Sequence, residues 1–310
     1  MLFSQAAPSR AHDLDFYIVI LTLTAREWLL QKIGSEINFV EVGMMSTLKI
    51  LVSVVLVVGV VGVVNAATDS FDTYADGALA DNAYWYSANG PVVQSGIGVG
   101  GSKGVAGAND IATMSGGDML TANKVKWTEL EVGDYIKLSM DFQASDVGTF
   151  DDDRLGMMYD YDSVTSDKIF GAQLDGNRMQ TYFDRVNSIS GAQYQVGAGN
   201  LNITPDEWYS FTVTLTKMGD FRVLIGATLT TLGGTLVDSG SFDTDSLEES
   251  LRPNLKYFTD LENDGLWPAF KNYHVVSGAA DNFSFTVVPE PMTLGLLGLG
   301  GLALLRRRRA

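Results

Sequence analysis

The residues of this 310-residue sequence best placed to do chemistry are closely spaced carboxylates. A glycosidase sets two of them beside the scissile bond, about 5–5.5 Å apart in a retaining mechanism. On an extended strand, positions i and i+2 share a face at roughly 6.7 Å. Glu129/Glu131, Asp151/Asp153 and Asp160/Asp162 have that spacing. Asp160 and Asp162 are the best pair, because they follow the apolar run Leu155-Gly156-Met157-Met158-Tyr159. The same residues also read as a strand running into a turn, where acids serve solubility. Other machinery is scarce. With no cysteine there is no thiolate nucleophile and no Cys-ligated metal, and two histidines, His12 and His274, cannot build a multi-histidine zinc site. His274 reads as a loop residue rather than a base, and a polysaccharide lyase could draw its base from Tyr or Lys.

Calcium has an oxygen-rich stretch to choose from. Asp260, Glu262 and Asp264 alternate ahead of Gly265, as in half of an EF-hand loop, but Lys271 stands where the twelfth-position Glu is required. Asp151-Asp152-Asp153 is a second acidic cluster. Flat rings that could stack on a sugar include Tyr84, Tyr86, Trp127, Tyr182, Tyr194 and Trp267, with core packing as the competing role of each. Trp208, heading an alternating strand, is expected in the core. The glycines of residues 96–104 lack the spacing and strand–helix context of a phosphate loop and read as a hairpin or loop. The net charge is −16, and residues 67–288 hold 13 Lys and Arg against 31 Asp and Glu. Such a body disfavours phosphate backbones, which excludes nucleic acid as a partner.

The elements that must position these groups are strands. Ile136 to Gln143, Tyr209 to Thr216 and Asn282 to Val287 alternate apolar and polar residues cleanly. Weaker runs cover 155–161, 169–174, 179–183 and 221–229, and Asp245 to Leu251 is the one short helix expected. Period-two patterning buries alternate side chains, as in antiparallel sheets packed face to face. The expected fold of residues 67–288 is therefore an all-β antiparallel β-sandwich or jelly roll. The Glu-x-Asp-x-x-Glu arrangement of jelly-roll glycosidases is absent.

Two apolar segments flank that body. Lys49 precedes Ile50 to Val64, and Val64-x-Ala66 puts small residues at cleavage-site positions. This describes a signal peptide over residues 44–66, cut between Ala66 and Ala67 and handled by the Sec translocon and signal peptidase. At roughly 22 Å if helical, the fifteen-residue run is short for a ~30 Å hydrocarbon core, which weighs against an uncleaved membrane helix. Residues 1–43 carry mixed charges and read as a spurious or unstructured extension ahead of a true start at Met44 or Met45. A long n-region is the alternative.

The second segment runs Val288-Pro289-Glu290-Pro291, then an apolar helix over residues 292–305, then Arg306, Arg307, Arg308 and Arg309. Four guanidinium groups stay on the cytoplasmic side and leave the acidic body outside. Fourteen residues span roughly 21 Å as a helix, which suits a temporary stop better than a lasting anchor.

This order resembles the PEP-CTERM sorting signal of Gram-negative bacteria that make exopolysaccharide. The resemblance implies that an exosortase, a membrane-embedded transpeptidase, recognises residues 289–310 and removes the tail near Pro289, Glu290 and Pro291. The chain would pass through an inner-membrane-tethered intermediate to the cell surface or matrix. The competing reading is an ordinary C-terminal anchor.

The body also resembles the concanavalin A-like, laminin G-like jelly rolls found ahead of such tails. The residues that carry this are Asp69-Ser70-Phe71-Asp72, Glu207-Trp208-Tyr209 and Asp281-Asn282-Phe283. That likeness implies glycan or protein binding, glycosidase or lyase activity in some relatives, and a structural Ca²⁺ joining Asp72 to Asp281. The combined expectation is a non-enzymatic surface or matrix protein associated with extracellular polysaccharide. A polysaccharide-degrading enzyme and a purely structural adhesion protein are the alternatives.

Overall fold

The computed structural model describes residues 66–87, 90–107, 111–117, 119–144, 152–158, 169–175, 178–182, 194–246, 265–272 and 278–289. Among the described residues fifteen strands, numbered in chain order, form two antiparallel sheets. The nine-stranded sheet is built from β1 (Ala66–Asp69), β2 (Gly77–Ala78), β3 (Val92–Ser95), β4 (Lys103–Ala106), β6 (Tyr135–Gln143), β11 (Trp208–Gly219), β12 (Arg222–Thr231), β13 (Leu236–Asp243) and β15 (Ala279–Val288). Its order is β13-β12-β11-β6-β15-β4-β3-β2, with β1 paired to β15. The six-stranded sheet runs β10 (Gln195–Val196), β9 (Arg178–Tyr182), β8 (Ile169–Asp175), β7 (Asp152–Met158), β14 (Trp267–Asn272) and β5 (Ala112–Thr113).

Alternation builds the core between them. Ile136, Leu138, Met140 and Phe142 of β6 and Phe211, Val213 and Leu215 of β11 point inward, against Leu155 and Met157 of β7 and Phe170 and Ala172 of β8. The residues that alternate with these are chiefly Ser, Thr, Lys, Asp and Gln, which keep the other face of the large sheet wetted. The expected all-β antiparallel sandwich is the fold of the body.

One detail differs from the sequence reading, and two expectations fall wholly or partly outside the described residues. The one described α-helical turn is Met119–Ala122, while Thr244–Ser246 forms a 3-10 turn and residues 247–251 lie outside the described residues. Trp208 is half-buried; its neighbour Tyr209 faces the core instead, because Tyr209 is in phase with inward Phe211, Val213 and Leu215 and Trp208 is not. The signal segment ahead of Ala66 and the apolar tail after Pro289 lie outside the described residues.

Candidate functional site

The structure disperses most of the carboxylate pairs. Glu129 closes a 3-10 turn over Trp127–Glu129 and pairs with Lys126 at 2.8 Å, while Glu131 sits in a turn where its N–H donates to Asp134 Oδ2. Neither lies on a strand, so the same-face argument fails for Glu129/Glu131. Asp153 is buried on the core side of β7, opposite Asn272, and Asp151 lies outside the described residues. Asp160, Asp162, Asp260, Glu262 and Asp264 also lie outside them. Among the aromatic candidates Trp127 is core, Trp267 is buried, and Tyr84 is 44% exposed; Trp85, beside Tyr84, is core as well.

A different cluster emerges on the face of the six-stranded sheet that points away from the core. Residues directly opposite in an antiparallel ladder share a face. Lys271 of β14 lies opposite Arg154 of β7, Arg154 opposite Gln173 of β8, Gln173 opposite Gln180 of β9, and Gln180 opposite Gln195 of β10. The register therefore draws a polar row across five strands. Arg154 Nε donates to Gln173 Oε1 at 3.1 Å, and Gln173 Nε2 donates to Gln180 Oε1 at 3.2 Å. The Arg154 guanidinium also lies 3.8 Å from the centroid of the Tyr182 ring, a cation–π contact.

The next row along the strands is nearly bare. Tyr182 lies opposite Gly171, Gly171 opposite Gly156, Gly156 opposite Ala269, Ala269 opposite Thr113, and Thr113 bridges to Tyr86. A Cβ on Gly156 would stand 2.2 Å from the Phe170 carbonyl oxygen, and one on Gly171 2.2 Å from that of Leu155, so neither position admits a side chain. Beyond it Met158 and Ile169 form a second apolar cluster with Ile111, Tyr182 and Ala269. The outer face thus holds a narrow floor of small residues between two tyrosines, with cations and amides on one side and apolar groups on the other. Lys271, Arg154, Gln173 and Gln180 are buried despite facing away from the core, while Gln195 at the edge is exposed. The sequence signal for them was a long polar residue two positions from a glycine, Arg154-x-Gly156 in β7 and Gly171-x-Gln173 in β8.

The Asp72/Asp281 pair lies at the other sheet. Asp281 sits at a bulge of β15, where Asn282 takes a left-handed backbone (φ 52°). Its carboxylate accepts Val99 N–H and Ser102 O–H at 2.9 Å each and Asn282 N–H at 2.7 Å. Asp72 Oδ1 accepts Lys103 N–H at 3.1 Å. Burial pushes the Asp281 carboxyl above the ordinary carboxylate range; the nearby Asp72 charge adds to this, and the three donors oppose it. Gly98 lets the loop close, since a Cβ there would lie 2.3 Å from the Lys103 carbonyl oxygen and 2.7 Å from Asp281 Oδ2. Two carboxylates, a hydroxyl and a carbonyl make an all-oxygen set, the chemistry a hard cation requires. Among the described residues no three carboxylate or imidazole groups gather as a metal site, so Ca²⁺ here would lean on backbone and hydroxyl oxygens.

The ends of the body meet in one sheet. Ala66 of β1 lies opposite Thr286, and Asp69 opposite Phe283. Ala67 is therefore already inside a paired strand. Strand β15 continues to Val288, and Pro289 follows at once. Residues 287–309 match the PEP-CTERM protein-sorting motif. The chain carries a PEP-CTERM sorting tail. The PEP-CTERM match starts two residues earlier than the sequence reading, at Val287, so the motif begins inside the folded sheet. Such a tail marks an exported protein that an exosortase processes at the cell envelope. Glu290, Pro291 and Arg306–Arg309 lie beyond the described residues.

No curated protein sequence matches the chain. Among solved structures, an alginate lyase of family PL-14 from Aplysia kurodai is similar over 72% of this chain and 98% of its own, with 10% identity and a TM-score of 0.44. The lectin I-B4 of Griffonia simplicifolia gives 11% identity and a TM-score of 0.36 over 72% and 98%. A protein of unknown function from Shewanella oneidensis MR-1 gives 11% and 0.39 over 73% and 88%. At these scores the likeness carries no argument about activity.

Proposed function

We propose that this is a cell-surface or matrix protein of a Gram-negative bacterium that associates with acidic extracellular polysaccharide. In this reading Sec exports it, signal peptidase cuts between Ala66 and Ala67, and the apolar tail holds it at the inner membrane until an exosortase acts near Pro289, Glu290 and Pro291. The observation that carries the export half is the sorting motif over residues 287–309. The polar row Lys271–Arg154–Gln173–Gln180 beside Tyr182 supports the binding half. Two neighbouring cations suit carboxylated sugars, amides suit hydroxyl groups, and a tyrosine offers a stacking face. The strongly acidic body repels a polyanion at long range, so attraction is confined to this row. Because the row is buried, a sugar reaches it only as that face opens, and association is slower than for a preformed groove.

The test uses the native product and the recombinant chain together. The native product begins at Ala67, lacks Arg306–Arg309 by intact mass, and is retained on a uronate polymer. Recombinant R154A loses about tenfold or more in affinity, the worth of one charge-assisted contact, while R154K recovers only part because it lacks the planar fork. Unchanged retention of R154A on uronate, with the variant folded by circular dichroism, rejects the row as the contact. Tyr182 under the Arg154 guanidinium favours one second reading, a lyase with a phenolic base. Release of unsaturated uronate products, abolished in Y182F, would replace binding with catalysis.

A structural Ca²⁺ held by Asp72, Asp281, Ser102 Oγ and the Lys103 carbonyl is part of the proposal. A ligand at 100 times its Kd raises stability by about 2.7 kcal/mol. The melting temperature of the wild type is expected to rise with Ca²⁺ and fall back with a chelator, and that of D72N to be indifferent. A wild type indifferent to Ca²⁺ removes the ion from the account.

A further inference from the structure

We infer that the end of the sandwich carrying Val132, Met218 and Phe221 rests on a neutral phospholipid surface while the tail is still attached. This builds on the sorting reading above and adds a surface to it. Strand β6 fixes the geometry: Tyr135 lies opposite Thr216 of β11 on one side and opposite Val288 of β15 on the other. Strands β11 and β15 therefore run the same way and finish at the same end. Strand β1 starts there too, since Ala66 lies opposite Thr286. Both apolar segments of the sequence, residues 50–64 and 292–305, thus connect to the body at one end.

At that end the β11–β12 hairpin overshoots the start of β6 and the end of β15. Gly219 lies three residues past Thr216, roughly 10 Å further out along the strand, and the hairpin loop Asp220–Phe221 caps it. From Val288 to Met292, the first apolar residue of the tail, even a fully extended chain reaches no more than about 14 Å. The body cannot stand off. Once Met292 enters the hydrocarbon, the hairpin tip is level with the lipid surface to within a few ångströms.

The residues at that height are apolar and in the open: Phe221 is 52% exposed, Val132 58% and Met218 37%. Val132 is held beside Met218, because Gly133 N–H donates to the Lys217 carbonyl at 2.8 Å. Buried Lys217 in turn donates from Nζ to the carbonyls of Trp127 and Leu130, pinning the segment that leads to Val132. Exposed apolar groups gathered at a chain exit mark a contact surface. The charged residues among them, Glu131, Asp134 and Asp220, are acidic, and Arg222 is engaged with Asp243 at 2.6 Å. An anionic leaflet would repel this rim, so the surface it fits is zwitterionic. The opposite end supplies a control: Leu232 is as exposed, at 45%, yet no apolar segment leaves there.

The absence of cysteine allows single labels in the full-length chain. F221C, M218C and L232C, each carrying an environment-sensitive fluorophore, are reconstituted with phosphatidylcholine vesicles with and without spin-labelled phosphatidylcholine. The label in F221C and M218C is expected to shift to the blue on vesicles and to lose intensity with the spin-labelled lipid. The label in L232C is expected to do neither. A chain that floats with the vesicles but leaves F221C and M218C unshifted, or quenches L232C equally, overturns the docking surface alone. A chain that does not float overturns the tethered intermediate together with it.

Discussion

Replacing Trp85 with alanine is expected to destabilise the domain by about 3–5 kcal/mol, the range for truncating a buried large aromatic. For a domain of this size that lowers the melting temperature by roughly 6–20 °C. The side chain is 2% exposed and joins the two sheets. Its ring meets Phe283 of the nine-stranded sheet edge-on at 5.2 Å and Phe270 of the six-stranded sheet at 5.1 Å, with Phe71 at 5.9 Å. The indole N–H donates to Asp69 Oδ2 at 2.7 Å. W85F keeps much of the ring contact but leaves that carboxylate oxygen with Tyr74 O–H as its remaining side-chain donor, and is expected to cost about 2 kcal/mol, the scale of a hydrogen bond to a charged group. Denaturant melts of the three proteins read both differences. A W85A loss no larger than that of W85F would mean that the aromatic contacts between the sheets contribute little.

That knot shows what the sequence did and did not reveal. Strands β6, β11 and β15 were legible because each has one face in the core and one face wetter, which writes a period of two into the residues. Strand β14, Trp-Pro-Ala-Phe-Lys-Asn, was not, because it is buried on both faces and carries a proline, so no alternation survives. Edge strand β13 was hidden for the opposite reason: its exposed positions place no apolar period on it. Neighbouring residues of Tyr84-Trp85-Tyr86 part ways, with Trp85 in the main core and Tyr86 packed on the outer cluster.

The polar row was beyond reach of spacing altogether. Arg154, Gln173, Gln180 and Lys271 become neighbours only through the registers of β14, β7, β8 and β9, and register depends on tertiary pairing. Carboxylates misled for a related reason. The i, i+2 argument assumes a strand, and Glu129 and Glu131 belong to turns. The sorting motif, by contrast, was legible apart from its first two residues, since its chemistry is linear: an acidic Pro-flanked pivot, an apolar run and a basic stop.

Asp69 sets the second large effect, and its signature is pH. Tyr74 O–H and Trp85 N–H both donate to Oδ2, and the Phe71 N–H donates to Oδ1 at 2.8 Å, holding Phe71 in a left-handed backbone (φ 60°). D69N cannot serve all three donors, because its amide nitrogen presents hydrogens where an acceptor stood. One or two buried donors go unmet at about 1–3 kcal/mol each. In the wild type, burial pushes the Asp69 carboxyl above its ordinary value; its donors pull the other way, and the neighbouring Asp72 charge adds to the rise. The folded protein then holds a proton more tightly than the unfolded chain, so stability falls as pH rises through the folded value and is flat above it. Mild acidification from neutrality should accordingly raise the melting temperature, with Asp281, raised chiefly by burial, acting in the same direction. Asp76, lowered by its hydrogen bonds to Ser95 and Lys103, and Asp243, lowered by Arg222, act oppositely, losing their contribution only as pH drops below the ordinary carboxylate value. The expected profile climbs from neutral toward mild acid and then turns down, and D69N climbs less steeply. A D69N profile parallel to the wild type over the climbing limb would assign the slope to Asp281 and to general charge repulsion in this acidic body, leaving Asp69 as a structural acceptor whose titration is silent.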